Sequence, residues 1–181
     1  MNYIQKFFGH LKTVIKHRRM VRKLCFKCGL YWQGLTHDLS KYSPVEFWNG
    51  VKFYTGTKSP HVGEREAYGY SEAWIHHHNR NKHHAEYWQD IGANGKIRPI
   101  DMPPEYFVEM LCDRVAASMI YLGDKYTMKS PLEYYESHKY ENQFSPMVRA
   151  NLEYCLKEIS EYGFDVFAYS NKWIFEKESE K

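Results

Sequence analysis

Apolar residues recur at helical spacing through the first part of the chain. A spacing of three or four residues places side chains on one face of an α-helix. Gly29 follows the last of these positions, and glycine often ends a helix because it adopts the left-handed conformation easily. The pattern therefore predicts a long N-terminal helix with one apolar face, formed by Ile4, Phe7, Phe8, Leu11, Val14, Ile15, Val21 and Leu24.

Serine–proline pairs predict where later helices begin. Ser43-Pro44-Val45-Glu46 has the pattern of a capping box with proline in the first turn, and the helix should run to about Tyr54. Ser130-Pro131-Leu132-Glu133 repeats the pattern. Ser145-Pro146 opens a helix that Gly163 should end.

A further helical run lies between these starts, from Pro103-Pro104 to Gly123. No segment has comparable support as a strand, and residues 164–175 are ambiguous between a strand and an irregular aromatic tail. We therefore predict an all-α, compact helical fold. The whole chain, 1–181, should be one domain with a core over about 10–163 and an aromatic C-terminal tail over 164–181.

Composition limits the class of protein. Sixteen Tyr, ten Phe and five Trp in 181 residues argue against disorder. Four cysteines are too few for a disulfide scaffold, and the Cys25-x-x-Cys28 pair more often packs as small apolar side chains than binds zinc. No stretch approaches the roughly 20 apolar residues of a membrane span. We expect a soluble, reduced, cytoplasmic protein.

Charge is distributed unevenly. Residues 1–30 carry eight Lys or Arg and no acidic side chain, whereas the remainder carries 17 basic and 22 acidic ones. A basic segment can attract phosphates, nucleic acid or a membrane surface, but the alternative is the solvated face of an amphipathic helix. Nucleic-acid binding has no recognised motif to support it, no membrane partner is expected, and the oligomeric state, including a homo-oligomer, stays open.

Asp113 is the most informative single residue. In a helix it shares a face with Met110, Ala117 and Ile120. A carboxylate on an apolar face is costly to bury unless it is paired, hydrogen-bonded or bound to a metal. The partner could be a basic side chain such as Arg114, or a metal ion.

Ten histidines make the metal alternative more attractive. Five of them fall within His76–His84, and His37-Asp38 is adjacent to a predicted helix end. If the cluster is helical, His77 and His84 share a face, as do His76 and His83; the alternative is a polar surface loop. Imidazole and carboxylate ligands together suit Zn, Fe, Mn, Co or Ni.

The order of these residues resembles the H…HD…H…H…D pattern of the HD-domain metalloproteins, over roughly residues 10–120. His37-Asp38-Leu39-Ser40-Lys41 is similar to an HD-x-x-K element, and His83-His84-Ala85-Glu86 to the HHE of the cyclic-dinucleotide phosphodiesterase branch. The GYP tripeptide of that branch is not in the chain, so its substrate is not inherited. More narrowly, the chain resembles an uncharacterised family of small HD-like helical proteins.

The resemblance implies one or two divalent metal ions and a metal-dependent hydrolase of a nucleotide or another small phosphoester. It implies a first site formed by His17, His37, Asp38 and Asp113. His77 and His84, with His83 close behind, would complete a second site. Asp38 would be catalytic by bridging the metals and orienting water.

Three basic residues are expected to contact substrate. Lys41 is the predicted phosphate contact, although a surface lysine is an equal alternative, and Arg18 and Arg80 are weaker candidates. Rival functions are a di-iron oxygenase with the same ligands, a module that holds a nucleotide without turnover, and a nucleic-acid-binding protein.

Overall fold

The computed structural model of the chain describes residues 1–138 and 144–176. Within these ranges the all-α prediction is confirmed, because the only strands there form one short antiparallel hairpin. The helices and strands are α1 (Tyr3–Lys27), α2 (Tyr31–Thr36), α3 (Pro44–Phe53), α4 (Pro60–Tyr68), α5 (Glu72–His78), β1 (Gln89–Ile91), β2 (Ile97–Pro99), α6 (Pro104–Leu122), α7 (Ser130–Ser137), α8 (Pro146–Tyr162) and α9 (Phe164–Glu176).

The predicted first helix is confirmed as α1. Its N-terminus is a capping box in which Asn2 and Gln5 exchange hydrogen bonds with each other's backbone amides. It ends before Gly29, whose φ of 79° is left-handed. The helix packs most extensively against α6. Val14, Val21 and Leu24 of the predicted apolar face are buried, whereas Ile4 and Phe8 are exposed, so that part of the prediction is wrong.

All three helices predicted from serine–proline pairs begin at those pairs, but only two of the serines cap their helix. Ser43 and Ser145 accept hydrogen bonds from the amides of Glu46 and Val148 at the N-termini of α3 and α8. Ser130 is different, because it lies inside the first turn of α7 and its hydroxyl accepts from the amide of Thr127. The predicted cap at Ser130 is therefore wrong: the preceding turn uses that hydroxyl.

The C-terminal segment is the main error in secondary structure. The expected strand or irregular tail is α9, and Phe164, Phe167 and Ala168 are buried at helical spacing along it. Gly163, with a φ of 82°, turns the chain between α8 and α9. The end of the tail, 177–181, lies outside the described residues. The hairpin β1–β2 was not predicted from the sequence.

The core lies between α1, α6 and α8, where Val21, Leu111, Leu152 and similar side chains are fully buried. The cysteines are unpaired, and Cys25, Cys28 and Cys112 lie in this core, as expected for small apolar side chains. No helix in the described part of the chain is long and apolar enough to cross a membrane. The clustered histidines come from the middle of α1, from the end of α2 and from α5 and the turn that follows it.

Candidate metal centre

Asp38 lies at the centre of the histidine cluster. It connects α2 to a 3₁₀ turn over Leu39–Tyr42, and its φ of 53° and ψ of 30° are left-handed. Among the described residues it is the only non-glycine residue with a positive φ. Aspartate tolerates this conformation better than most residues, and such strain is concentrated at functional sites. Both His37 and Asp38 are 1% exposed, so the sharp turn directs the two neighbouring side chains into the interior.

The first group of ligands is the set that the resemblance implied. Residues His17, His37, Asp38 and Asp113 each offer one atom, and these atoms all lie within 4.8 Å of one another. His17 Nε2 is 2.8 Å from Asp113 Oδ1, and His37 Nε2 is 3.3 Å from Asp38 Oδ2. Asp113 therefore lies opposite a histidine of α1 and not opposite Arg114.

The second group shares Asp38 and adds His77, His83 and His84, again within 4.8 Å. His77 Nε2 and His83 Nε2 lie 3.3 and 3.4 Å from Asp38 Oδ1. The conditional expectation of a continuous helix through these histidines is wrong, because α5 ends at His78.

A turn brings the second group together instead of a helix. Asn81 holds that turn by donating from its side chain to the carbonyl of His77 and to the hydroxyl of Ser40, both at 2.7 Å. The ring of His84 then lies 4.7 Å from the ring of His77, measured between centroids. His76 is directed elsewhere, to Glu46.

Several buried polar atoms at the centre lack a hydrogen-bond partner in the described part of the chain. They are both carboxylate oxygens of Asp38 and the Nε2 atoms of His83 and His84. Asp38 Oδ2 does have a charged neighbour, because Lys41 Nζ forms an ion pair with it at 2.6 Å. Unsatisfied buried polar groups are rare because each is costly, so this set fits the ligands of a cation.

Electrostatics keep the carboxylates ionised. Burial alone would raise the pKa of Asp38, but His37, Lys41 and His77 hold it well below its usual value. Burial likewise opposes ionisation of Asp113, but the neighbouring His17 and His37 lower its pKa well below the usual value. Asp38, which both groups share, and Asp113, which belongs to the first group, therefore both offer negative charge to a cation.

The surroundings of His84 favour its neutral form, whereas those of the two aspartates favour the charged form. Burial, and then the neighbouring His83 and His77, hold its pKa well below 6.5. A neutral imidazole keeps a lone pair on a ring nitrogen, which is the form that binds metals.

Two glutamates orient the histidines, and neither of them was assigned this role from the sequence. Glu109 Oε1 lies 2.8 Å from His37 Nδ1 and 3.1 Å from His83 Nδ1. Glu46 Oε2 lies 2.7 Å from His77 Nδ1. A carboxylate at Nδ1 fixes the proton there and leaves Nε2 free for a metal, the arrangement found around metal-binding histidines.

A sequence signal existed for one of these glutamates. Glu109 precedes Asp113 by one helical turn on the apolar α6, so the reasoning applied to Asp113 applies to it too. The sequence pattern places Glu46 in a capping box as its acidic member. Ser43 does accept from its amide, but the Glu46 carboxylate turns to the histidines.

The three predicted substrate contacts lie in different places. Lys41 lines the cavity beside Asp38. Arg18 does not line it, because its guanidinium donates to the carbonyls of His37 and Leu35 at 2.7 and 3.1 Å. Arg80 is also outside the cavity lining, and donates to the carbonyl of His76 at 3.3 Å. Both arginines support backbone next to the ligands, so the structure does not bring them to the position of a substrate.

A cavity of about 650 Å³ opens onto both groups of ligands. Its size is within the ordinary range for small-molecule sites. Besides the ligands, its wall includes four basic side chains and several aromatic ones, among them Lys41, Lys58, Arg65, Arg114, Tyr54, Trp74, Tyr121 and Tyr134. Glu46 and Glu86 also line the cavity, so its charges are mixed, and the four basic side chains are the groups that would contact an anionic part of a ligand.

Comparison with known proteins identifies a family but not an activity. The model of a family of unknown function, DUF5662, matches residues 6–158, and the chain belongs to that family. The match includes every ligand of both groups. No curated protein and no solved structure matches the chain.

Proposed function

We propose that this protein is an HD-type, metal-dependent phosphoester hydrolase that acts on a nucleotide or another small phosphorylated molecule. The observation that carries the proposal is the pair of ligand groups that share one buried carboxylate, that of Asp38, next to a cavity whose wall includes four basic side chains. If both groups held an ion, the pair would resemble the two-metal sites that are typical of enzymes that transfer phosphoryl groups.

The donor set suits one or two of Mn, Fe, Zn, Co or Ni, because it mixes imidazole nitrogens with carboxylate oxygens. Such ions lower the pKa of water and offset negative charge on phosphoryl oxygens. His17, His37, Asp38 and Asp113 would hold one ion, and Asp38, His77, His83 and His84 the other.

Asp38 has two roles in the proposed reaction. Its Oδ1 faces His77 and His83, and its Oδ2 faces His37, so each oxygen serves one ligand group. Because its pKa is held low, it remains an acceptor that can orient the attacking water.

Lys41 is the proposed phosphate contact. Burial would lower its pKa, but Asp38 and Asp113 raise it, so the ammonium group stays charged. It is 26% exposed at the cavity wall, which leaves it accessible to phosphoryl oxygens entering the site. A compact ammonium group is a common phosphate ligand.

The test combines metal analysis with activity on the untagged protein. The wild type should carry one or two equivalents of a transition metal and hydrolyse members of a panel of nucleotides and phosphoesters. The variants Asp38→Asn and Asp113→Asn should lose metal and turnover while circular dichroism shows unchanged helical content. Asparagine is preferred to alanine at position 38 because it also tolerates a positive φ.

Asp165→Asn is the matched control, because its carboxylate is 76% exposed and pairs with Lys27 far from the ligands. It should keep metal and activity. Retention of both by Asp38→Asn would refute the proposal. Two irons with oxygen consumption, and no hydrolysis, would replace it with an oxygenase.

A further inference from the structure

Arg114 is a cavity cation that has no carboxylate partner among the described residues. It follows the ligand Asp113 on α6 and lines the cavity. Its Nε is buried and has no hydrogen-bond partner in the described part of the chain. Its guanidinium carbon lies 5.4 Å from the centroid of the Phe144 ring, a contact that supports the group but does not accept its protons.

Acidic neighbours do not explain the position of Arg114. Asp113, the adjacent residue, faces His17 at 2.8 Å. Glu153 accepts a hydrogen bond from the hydroxyl of Tyr135 at 3.0 Å. No carboxylate within the described ranges lies within 4.0 Å of the Arg114 guanidinium. A buried guanidinium N–H without an acceptor among the described residues is costly, so an anion bound in the cavity fits this place.

The other basic side chains of the cavity have different surroundings. Lys58 is exposed and pairs with Glu66 at 2.9 Å. Arg65 is exposed and lies over the ring of Trp74 at 5.6 Å. Lys41 lies against Asp38 at the ligands. Arg114 is thus the cavity cation that combines a buried donor with the lack of an acceptor among the described residues.

The wall of α6 adjoining Arg114 has apolar residues that an organic part of a ligand would contact. Ala117 and Ile120, one and two turns further along the helix, also line the cavity and are apolar. A ligand could place one anionic group at Lys41 and the metal ligands, an organic body along this wall, and a second anionic group at Arg114.

We propose that the natural substrate is a phosphoester with a second anionic group, a phosphate or carboxylate, and that Arg114 binds this second group. The substrate part of this inference rests on the proposed hydrolase function. A planar guanidinium with parallel N–H donors suits bidentate binding of such oxyanions. Arg114 then sets specificity, whereas Lys41 and the ligand groups act at the phosphate that reacts.

The experiment measures binding, so that it does not depend on turnover. The probes are alkane-α,ω-diyl bisphosphates of two to six carbons and the matched alkyl monophosphates, titrated calorimetrically into the metal-loaded protein. The proteins are the wild type, Arg114→Met, Arg114→Lys and the control Arg22→Met, which removes an exposed arginine of α1 that does not line the cavity.

We expect the wild type to bind one length of bisphosphate at least tenfold more tightly than its monophosphate. Arg114→Met should abolish this preference and leave monophosphate affinity within twofold. Arg114→Lys keeps the charge but loses the planar fork, and should keep only part of the preference, while Arg22→Met should keep all of it. Thermal unfolding of each variant checks the fold.

Three outcomes overturn the inference: no preference at any length in the wild type, a preference that survives in Arg114→Met, or equal losses for both probe classes. Failure of the hydrolase proposal looks different. An Arg114-dependent preference without hydrolysis of any phosphoester would leave the second anion site standing and would indicate a protein that binds its ligand without cleaving it.

Discussion

Replacing Glu109 by glutamine should weaken metal binding at both ligand groups together. The carboxylate accepts from His37 Nδ1 at 2.8 Å and from His83 Nδ1 at 3.1 Å through the same oxygen, and these two histidines belong to different groups. The hydrogen bonds from the two histidines hold the pKa of Glu109 below its usual value, against the effect of burial. Glu109 is therefore an ionised acceptor that orients one ligand of each site.

The magnitude follows from what an amide can accept. The carbonyl of a glutamine can replace one or both contacts only as a neutral acceptor, and its NH₂ group would oppose an imidazole N–H if it turned inward. Loss of such a supporting carboxylate typically lowers metal affinity about 10- to 100-fold. This corresponds to roughly 1.4–2.8 kcal/mol at each site.

The assay is competition with a chelating dye that resolves two binding steps of Co²⁺ or Zn²⁺. Glu109→Gln should weaken both steps. Glu46→Gln should weaken only one, because Glu46 supports His77 of the second group and otherwise contacts His76, which is in neither group. Glu153→Gln, which changes an acceptor of Tyr135 away from the ligands, is the matched control.

Unchanged affinity for both ions in Glu109→Gln would refute the reasoning, provided that its helical content matches the wild type. A loss confined to one step would refute the specific claim that Glu109 serves both groups through His37 and His83.

The remaining predictions concern side chains around the centre. Lys41→Met should retain metal, because the substitution removes a cation from beside a ligand. It should lower kcat/KM about 100-fold or more, since a charged contact to the reacting phosphate is lost. Metal loss with unchanged turnover would contradict this role. Arg18→Met should lower the free energy of unfolding by about 1–3 kcal/mol, because the carbonyl of His37 loses its hydrogen-bond donor. The KM for substrate should stay within about twofold of the wild-type value. A large rise in KM, with unchanged stability in urea unfolding, would instead make Arg18 a substrate contact. Burial, and then the charge of Lys41, lower the pKa of His10 from 6.5 to about 4. On acidification the unfolded chain therefore protonates this histidine before the folded protein does. The free energy of unfolding should fall by up to about 3 kcal/mol between pH 6.5 and 4 because of this group. His10→Gln should show a correspondingly smaller fall, and equal falls in both proteins would exclude His10 as a cause.

Local patterns were sufficient for much of the secondary structure. The left-handed glycine after α1 and the serine caps of α3 and α8 depend on neighbouring residues alone, so they could be predicted. α9 was missed because aromatic and β-branched residues fit either a strand or a helix, and the burial of Phe164 and Phe167 against the core selects the helix. Ser130 was misread because a preceding turn competes for its hydroxyl.

For the candidate site, too, the sequence determined one part and the tertiary structure the other. The sequence by itself determined which chemistry was present: an ordered set of histidines and aspartates, with Asp113 on an apolar helical face that demands a partner. Only the tertiary structure decided which histidines converge. The turn after α5, held by Asn81, moves His83 and His84 to Asp38 and leaves His76 out, and no periodicity in the sequence encodes that path.

Tertiary structure also assigned the supporting groups. Glu46, Glu109 and Arg18 take their roles from contacts with residues between 19 and 72 positions away in the chain. Side chains of one type are interchangeable in a sequence pattern, whereas hydrogen bonds require specific distances and directions. The ligand types could therefore be read from the order of residues, but their orientation and the cavity beside them exist only once α1, α5 and α6 are packed together.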